Sequence, residues 1–194
     1  MFYRPEDGHG LPHNPFNALI TPRPIGWIST RSSDGTANLA PYSFFNGVAY
    51  VPPQVMFSST ANKDSLANIQ ATGVFCVNIV EHAAKDRMNK SSQAFPPGTD
   101  EFAQSGTPKA TCEIIDCDRV ADAPANLECR MTQIIPLKGK ENTLILGEVV
   151  GIHLRDDCLK DGIFDVTTFQ PLARLGYRDY SVVKDLFSLA RPDD

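Results

Sequence analysis

Apolar residues recur over short stretches of the chain, either alternating with polar residues or in brief continuous runs. Both arrangements are typical of β-strands. Glycine, proline, asparagine and serine, which favour turns, separate most of the stretches. The pattern predicts strands at residues 25–30, 36–39, 55–59, 74–80, 112–119, 126–136 and 142–155, with short candidates at 16–21, 163–169 and 172–180. Residues 44–50 mix apolar and small side chains.

Helical spacing is confined to short segments. In the clearest of them, Leu66 and Ile69 share one face, Asp64 stands at the N-cap position and Gly73 is placed to end the helix. A stretch rich in proline and glycine farther along predicts a loop. The predicted helices are 65–72, 82–90 and a terminal 182–189, with a single turn at 100–104 inside the loop 95–108.

The order of these elements shows no alternation of strand, helix and parallel strand. About seven or eight strands with two or three short helices predict a mainly β fold, a barrel or sandwich with helical insertions. The length of 194 residues fits a single domain spanning 1–194, with 1–15 as an irregular arm and 181–194 as a tail. Pro41 interrupts a returning strand, which indicates a sheet edge, a bulge or a ligand contact.

The composition excludes several classes of function. A net charge of −5, with no block of lysine and arginine, gives no electrostatic support for nucleic-acid binding. The N-terminus lacks the basic and apolar regions of a signal peptide and no run approaches ~18 apolar residues, so we expect a cytoplasmic protein. The five cysteines are then expected to be free thiols. Their spacing, like that of His9 and His13 around Pro12, predicts no metal site.

One apolar strand breaks into hydroxyl residues just before a predicted helix. Ser58 and Ser59 are followed by Lys63 and by the backbone N–H groups of residues 64–66. Hydroxyls, N–H groups at a helix start and one lysine are the components of a phosphate site. The alternative, which spacing alone favours, is an ordinary strand-to-helix loop, because the Asp64 carboxylate opposes a bound phosphate.

Other candidate groups have two interpretations each. Aromatic residues near the phosphate candidate either wall a planar ring or belong to a hydrophobic core, where aromatics in strands are common. Two histidines act either as acid–base groups or contacts to a nicotinamide, or have structural roles. The aromatics are Trp27, Tyr42, Phe44 and Phe45, and the histidines are His82 and His153. No GxxxxGK[ST], GxGxxG, GxSxG or HExxH motif occurs, so nothing indicates a hydrolase.

Five blocks of sequence, taken together and in this order, resemble a known family. It is the flavin reductase-like, FMN-binding split-barrel family, and the resemblance extends over about residues 15–180. The wording RPIGWIST and the chain length are most similar to the flavoredoxin-like branch. The blocks are PRPIGWIST at 22–30, NLAPYSFFN at 38–46, PPQVMFSS at 52–59, KDSLANIQATGVFCVNIV at 63–80 and GEVVGIHL at 147–154.

The resemblance implies a fold, a cofactor and a set of contacts. The fold is a split β-barrel with a few short α-helices, forming a homodimer with FMN at or near the subunit interface. Flavin and ribityl contacts are implied for Trp27, Ser29 and Thr30, ring contacts for Asn38, Ala40, Pro41, Tyr42, Ser43 and Phe45, and phosphate contacts for Ser58, Ser59, Lys63, Asp64 and Ser65.

One motif departs from the family pattern. The family commonly closes with two glycines followed by a tyrosine, whereas this chain has Tyr177 directly after Gly176. The departure affects the expected access of a nicotinamide and the expected substrate, and leaves FMN binding in place.

The resemblance leaves three hypotheses about function. The first is an FMN-dependent oxidoreductase with NADH or NADPH as reductant and a partner oxygenase or electron-transfer protein as acceptor. The second is a non-enzymatic FMN electron carrier, and the third is a split barrel that binds another cofactor, such as haem with a histidine ligand. In the first two, the chemistry belongs to the flavin, which fits the absence of a catalytic constellation.

Overall fold

The computed structural model describes residues 1–61, 63–139 and 141–192. The α-helices are α1 (Phe16–Leu19), α2 (Asp64–Thr72), α3 (Lys85–Ser91), α4 (Glu101–Ser105) and α5 (Val166–Phe169). The strands are β1 (Arg23–Pro24), β2 (Gly26–Arg31), β3 (Ala37–Tyr42), β4 (Phe45–Tyr50), β5 (Pro53–Thr60), β6 (Val74–Ile79), β7 (Lys109–Thr111), β8 (Asp118–Val120), β9 (Ala125–Pro136), β10 (Asn142–Leu154), β11 (Leu159–Lys160), β12 (Ile163–Phe164), β13 (Leu172–Arg174) and β14 (Tyr180–Val182). Within the described residues, no helix is both long enough and apolar enough to cross a membrane.

Seven of the described strands form one antiparallel sheet in the order β3-β2-β6-β9-β10-β5-β4. The two edge strands, β3 and β4, contribute Tyr42 and Phe45 to the same hydrophobic cluster, so the sheet curls around a single core. Because β3 and β4 do not pair with each other, the barrel stays open between them. The predicted mainly β class is confirmed, and Pro41 lies on an edge strand, one of its three predicted settings.

Strand β2 is buried on both faces, because successive side chains point to opposite sides of a strand. Ile28 points into the barrel core. Trp27 points outward, into a second cluster that contains Met88 of α3 and Phe102 of α4. Helices α3 and α4 therefore cover the outer face of the sheet at β2 and β3, which places them beside the cleft described below.

Packing inside the barrel is organised around aromatic rings. Phe57 packs edge-on against Phe75, with ring centroids 5.5 Å apart, and against Tyr42 at 4.8 Å. A side chain at Gly147 on β10 would bring its Cβ within 2.5 Å of Phe75. Glycine at 147 therefore leaves room for the Phe75 ring, since real Cβ atoms do not approach other atoms so closely.

A buried carboxylate holds the turn between β7 and β8. Glu128 on β9 is inaccessible to solvent and accepts backbone N–H bonds from Glu113 (2.7 Å), Ile114 (2.8 Å) and Ile115 (3.0 Å). His153 on β10 contacts the same carboxylate through Nε2 at 2.5 Å. Burial would raise the pKa of Glu128, but these donors outweigh burial and the pKa lies below its ordinary value. His153 thus contacts Glu128, which supports the structural interpretation of this histidine.

The structure corrects several predicted elements. The predicted strand at 16–21 is wrong, because Phe16–Leu19 form a helical turn. The Asn14 side chain accepts the Phe16 N–H (2.9 Å), and the Pro15 carbonyl accepts those of Ala18 and Leu19. Residues 112–119 bend into the β7–β8 hairpin around the Glu128 carboxylate. Residues 183–191 form neither helix nor strand, since their apolar side chains, such as Phe187, remain exposed. The predicted strand at 163–169 divides into β12 and α5, and the one at 172–180 into β13 and β14.

Candidate cofactor-binding site

A cleft of about 280 Å³ lies where the edge strand β3 meets the start of α2 and the segment that follows α3. Seven of the residues predicted to bind the cofactor line it, although they come from two separate blocks of the sequence. They are Asn38, Ala40, Pro41, Tyr42, Lys63, Asp64 and Ser65. The structure therefore brings the predicted ring end and the predicted phosphate end into one cavity.

Lys63 supplies the positive charge of the cleft. Its Nζ lies 5.7 Å from the centroid of the Tyr42 ring. Among the described residues, no carboxylate forms an ion pair with it. An ammonium group that has no acidic partner is available to an anion in the cleft.

The start of α2 differs in detail from its prediction. Lys63, not Asp64, occupies the N-cap position, and none of the side chains that the structure describes caps the helix. The Lys63 carbonyl accepts the N–H groups of Leu66 and Ala67. The N–H groups of Asp64 and Ser65 lie in the first turn, where backbone donors have no acceptor within the helix. The missing cap leaves donors beside Lys63, as an anion site at a helix N-terminus requires.

A buried polar network holds the floor of the cleft. Ser65 Oγ donates to Asn38 Oδ1 (2.8 Å), and Thr30 Oγ1 donates to the same oxygen (3.2 Å). The Asn38 amide and the Leu39 N–H both donate to Glu101 Oε2, each at 3.0 Å. Burial raises the pKa of the Glu101 carboxyl, against the opposing effect of these donors. The network fixes α2, β3 and α4 relative to one another around the cleft.

Among the described residues, two buried hydroxyls beside the cleft lack a hydrogen-bond partner, Tyr42 OH and Ser59 Oγ. Burial is the main reason that the pKa of the Tyr42 hydroxyl is raised. A buried polar group without a partner costs free energy unless a bound group or water satisfies it. The cleft thus combines unsatisfied donors, a free lysine and an uncapped helix start, a set that fits the phosphate and polar atoms of a flavin nucleotide.

Six predicted contact residues have side chains that do not line the cleft, because the barrel and its covering helices bury them: Trp27, Ser29, Thr30, Phe45, Ser58 and Ser59. Their side chains support the site from behind. Trp27 Nε1 donates to Ser91 Oγ (2.8 Å) and so orients a residue that does line the cleft. Ser29 Oγ donates to the Asp118 carbonyl (2.7 Å) and links β2 to β8.

A second cavity of about 280 Å³ adjoins the cleft and shares Pro41 and Ser92 with it. The predicted contact residue Ser43 lines this cavity instead of the cleft. Tyr177, at the departure from the family motif, lines it too, with a φ of +54°. The region that the sequence marked as divergent therefore lies directly beside the predicted cofactor site.

Several lining residues were missed by the sequence reasoning: Ser91, Ser92, Gln93, Ala94, Phe95 and Glu101. Ser91 ends α3, the next four residues follow it and Glu101 belongs to α4, and no local motif marks them as ligand contacts. The turn predicted at 100–104 is confirmed as α4, where the Asp100 side chain accepts the Ala103 N–H (3.2 Å). His82 and His153 line neither cavity.

The model of the flavin reductase-like domain matches residues 18–175. The chain belongs to this family. The resemblance found in the sequence is thereby confirmed over the part of the chain that carries its motifs. The match includes β3 and α2, which line the cleft, and ends at Leu175, two residues before Tyr177.

Solved structures agree with the family assignment. The 2-nitrobenzoate 2-nitroreductase of Pseudomonas fluorescens is 31% identical, with 91% of this chain and 88% of that chain covered and a TM-score of 0.84. Component B of nitrilotriacetate monooxygenase from Bacillus cereus is 26% identical, with 94% of this chain and 100% of that chain covered and a TM-score of 0.86. Flavoredoxin of Desulfovibrio vulgaris (Miyazaki F) shares the fold, at 20% identity, 89% and 93% coverage and a TM-score of 0.82. The predicted split barrel is confirmed.

Proposed function

We propose that this member of the flavin reductase-like family is an FMN-dependent oxidoreductase, with NADH or NADPH as reductant and a separate electron acceptor. The observation that carries the proposal is the cleft, in which Lys63, the first-turn N–H groups of α2 and the partnerless Tyr42 hydroxyl lie together. The names of two relatives, a nitroreductase and a monooxygenase component, support a redox enzyme.

The residues of the cleft divide into two groups. Lys63 and the N–H groups of Asp64 and Ser65 would hold the phosphate, because they combine a positive charge with backbone donors. Residues 38–42 of β3 would border the flavin ring. Pro41 lacks a backbone N–H, so it can lie on this edge strand without leaving a donor unpaired. When bound, FMN supplies hydride and electron transfer, and the protein supplies binding and orientation.

The proposal is tested by the visible spectrum of the purified protein and its response to reductant. We expect the protein to take up FMN and the bound flavin to bleach rapidly when NADH or NADPH is added without oxygen. A colourless protein that takes up no FMN would contradict the proposal. Slow bleaching by both nucleotides, with fast reduction by a protein donor, would instead identify a flavoredoxin-type carrier. A haem-like spectrum would identify a different cofactor.

The variant Lys63→Ala is expected to weaken FMN binding by roughly 1–2 kcal/mol, about ten- to thirtyfold. The loss follows from removal of a positive charge that has no acidic partner in the cleft. Fluorescence titration of FMN measures it. Lys85→Ala, which removes an equal charge from α3 outside the cleft, should leave the affinity unchanged. Equal affinities for Lys63→Ala and the unaltered protein would place the phosphate elsewhere.

We also propose a homodimer in a reducing cytoplasm. Apolar side chains on and beside β4 are exposed, including Val48 (50%), Tyr50 (90%) and Val51 (86%), and exposed apolar patches mark interaction surfaces. All five cysteines are free, which supports a reducing compartment. Sedimentation velocity should give the mass of a dimer. A flavin-loaded monomer would contradict this proposal, and Val51→Lys should favour the monomer if β4 forms the interface.

A further inference from the structure

The second cavity contains two arginines, and none of the described residues that line it is acidic. Arg23 and Arg174 both line it, together with Tyr177 and Tyr180, and we call it the arginine cavity. Among the described residues, no carboxylate forms an ion pair with either arginine. Every ligand that enters the arginine cavity therefore meets two positive charges next to the proposed flavin cleft.

The charged side chain of Arg23 is buried, which costs free energy. The residue is only 7% exposed, and its guanidinium donates to the backbone carbonyls of Asn17 (2.5 Å), Ile20 (2.6 Å) and Leu175 (2.9 Å). Its Nε has no hydrogen-bond partner among the described residues. Burial lowers the pKa of Arg23, and the charge of Arg174 lowers it further. The carbonyl contacts account for a structural role of Arg23. They do not explain why a second arginine lines the same cavity, where two like charges repel, and an anion between the two would relieve the repulsion.

Arg174 is oriented as a binding group. Its guanidinium lies 4.6 Å from the centroid of the Tyr180 ring, a cation–π contact, and donates to the Tyr177 carbonyl. A guanidinium has five N–H donors, so this arrangement leaves several for a ligand. Its planar, fixed fork matches the two oxygens of a carboxylate or phosphate.

Tyr177 maintains this arrangement in a strained conformation. Its φ of +54° is in the left-handed region, where a residue other than glycine costs free energy. Its carbonyl holds Arg174, and its ring, 5.8 Å from the His13 ring, borders the arginine cavity. Such outliers persist where the surrounding structure fixes them, and they cluster at binding sites.

From these observations we infer that the arginine cavity binds the anionic group, a carboxylate or a phosphate, of the small molecule that exchanges electrons with the flavin. The inference rests on the proposed function for the presence of flavin. It adds the chemical class of the second ligand and the residue that selects it, Arg174. The anion has two chemical sources, a carboxylate on an acceptor or the 2′-phosphate of NADPH, and the test separates them.

Binding is measured by ligand-observed NMR on the full chain, with and without FMN. The carboxylate probe is benzoate, with uncharged benzyl alcohol as its control, and the phosphate probe is adenosine 2′-monophosphate, with adenosine as its control. We expect at least one anionic probe to bind and its uncharged control not to bind. The probe that binds identifies the source of the anion. Binding of neither anionic probe, or equal binding of an anion and its control, would overturn the inference.

Arg174→Gln is expected to weaken binding of the anion by about tenfold or more, since a charge-assisted bidentate contact is lost. Arg178→Gln removes the same charge from an exposed neighbour that does not line the cavity, and should change binding by less than about twofold. Equal losses in the two variants would reduce the effect to general electrostatics and overturn the inference. If Arg174→Gln does not fold, Arg174→Lys replaces it, and unweakened binding in that variant also overturns the inference.

Because the probes report on the arginine cavity without flavin absorbance, the two proposals can fail separately. Anion binding by a protein that takes up no FMN would retain the arginine cavity and remove the flavin function. FMN uptake without anion binding would retain the flavin function and remove the arginine cavity as a binding site. In the first case the anion would no longer be assigned to a flavin substrate.

Discussion

Glu128→Ala is expected to lower the free energy of unfolding by roughly 3–5 kcal/mol, as removal of one partner from a buried charged network typically does. The carboxylate is inaccessible to solvent and satisfies three backbone N–H groups of residues 113–115 and the His153 ring. Alanine would leave these donors without an acceptor inside the protein. Chemical denaturation followed by tryptophan fluorescence measures the change, since the Trp27 ring is buried.

A matched control lies in the same turn. Glu113→Ala removes an exposed carboxylate and keeps the backbone N–H that binds Glu128, so it should change stability by less than about 0.5 kcal/mol. Glu128→Gln should fall between the two, because both carboxylate oxygens accept bonds and an amide retains one acceptor oxygen. If Glu128→Ala were no more destabilising than Glu113→Ala, the turn would not depend on the carboxylate.

The same residue predicts an acid dependence with a definite sign. The folded-state pKa of Glu128 lies below that of an unfolded glutamate, so its ionisation stabilises the folded chain above the unfolded value. This contribution is lost as the pH falls through the lowered folded-state pKa. The stability difference between the unaltered protein and Glu128→Ala should therefore shrink as the pH is lowered through this range. A difference independent of pH would contradict this assignment.

The parts of the fold that the sequence predicts are those fixed by local pattern. The apolar run at 74–80 forms β6, and the position of Gly73 ends α2 in the left-handed conformation that glycine favours. Glu128 had no such signal, because its partners are about fifteen residues away along the chain and meet it only after the hairpin forms. In the terminal segment the local pattern was misleading: the spacing at 182–189 predicted a helix, and the structure has none there. The apolar side chains of this segment stay exposed, so packing does not stabilise a helix.

In the candidate site, too, residues marked by a local pattern could be predicted and residues brought together from distant parts of the chain could not. Lys63 and Ser65 could be predicted as neighbours of a phosphate because a strand end and a helix start are adjacent in the chain. Trp27 was predicted as a flavin contact, yet its side chain is buried, since sequence alone does not show which face of a doubly covered strand meets a ligand. Glu101 was missed, because its contacts with Asn38 and Leu39 bridge about sixty residues of the chain.

Glu101→Ala is the second variant with a large expected effect, a loss of roughly 2–4 kcal/mol in unfolding free energy, because two buried donors lose their acceptor. These donors are the Asn38 amide and the Leu39 N–H on the outer edge of β3. Hydrogen exchange at the Leu39 amide should accelerate in the variant, since none of the described strands pairs with that edge of β3. Unchanged exchange at Leu39 would show that Glu101 does not hold β3 in place.

Glu101→Gln separates the hydrogen bonds from the charge. Both donors bind the same oxygen, Oε2, so an amide oxygen at that position can accept both. Burial raises the folded-state pKa of Glu101, so its stabilising contribution is complete below the unfolded pKa and is lost as the pH rises through the folded value. The unaltered protein should therefore lose stability relative to Glu101→Gln as the pH rises through that range.

Removal of the Glu101 charge should also affect the ligand. With the network intact and one negative charge fewer beside Lys63 and Ser65, Glu101→Gln should bind FMN as tightly as the unaltered protein or more tightly. FMN titration at neutral pH measures this, with the stability of the same samples as a check on folding. Weaker FMN binding by a fully folded Glu101→Gln protein would mean that the carboxylate itself contacts the cofactor, in which case Glu101 would be a binding residue and not a support for Asn38.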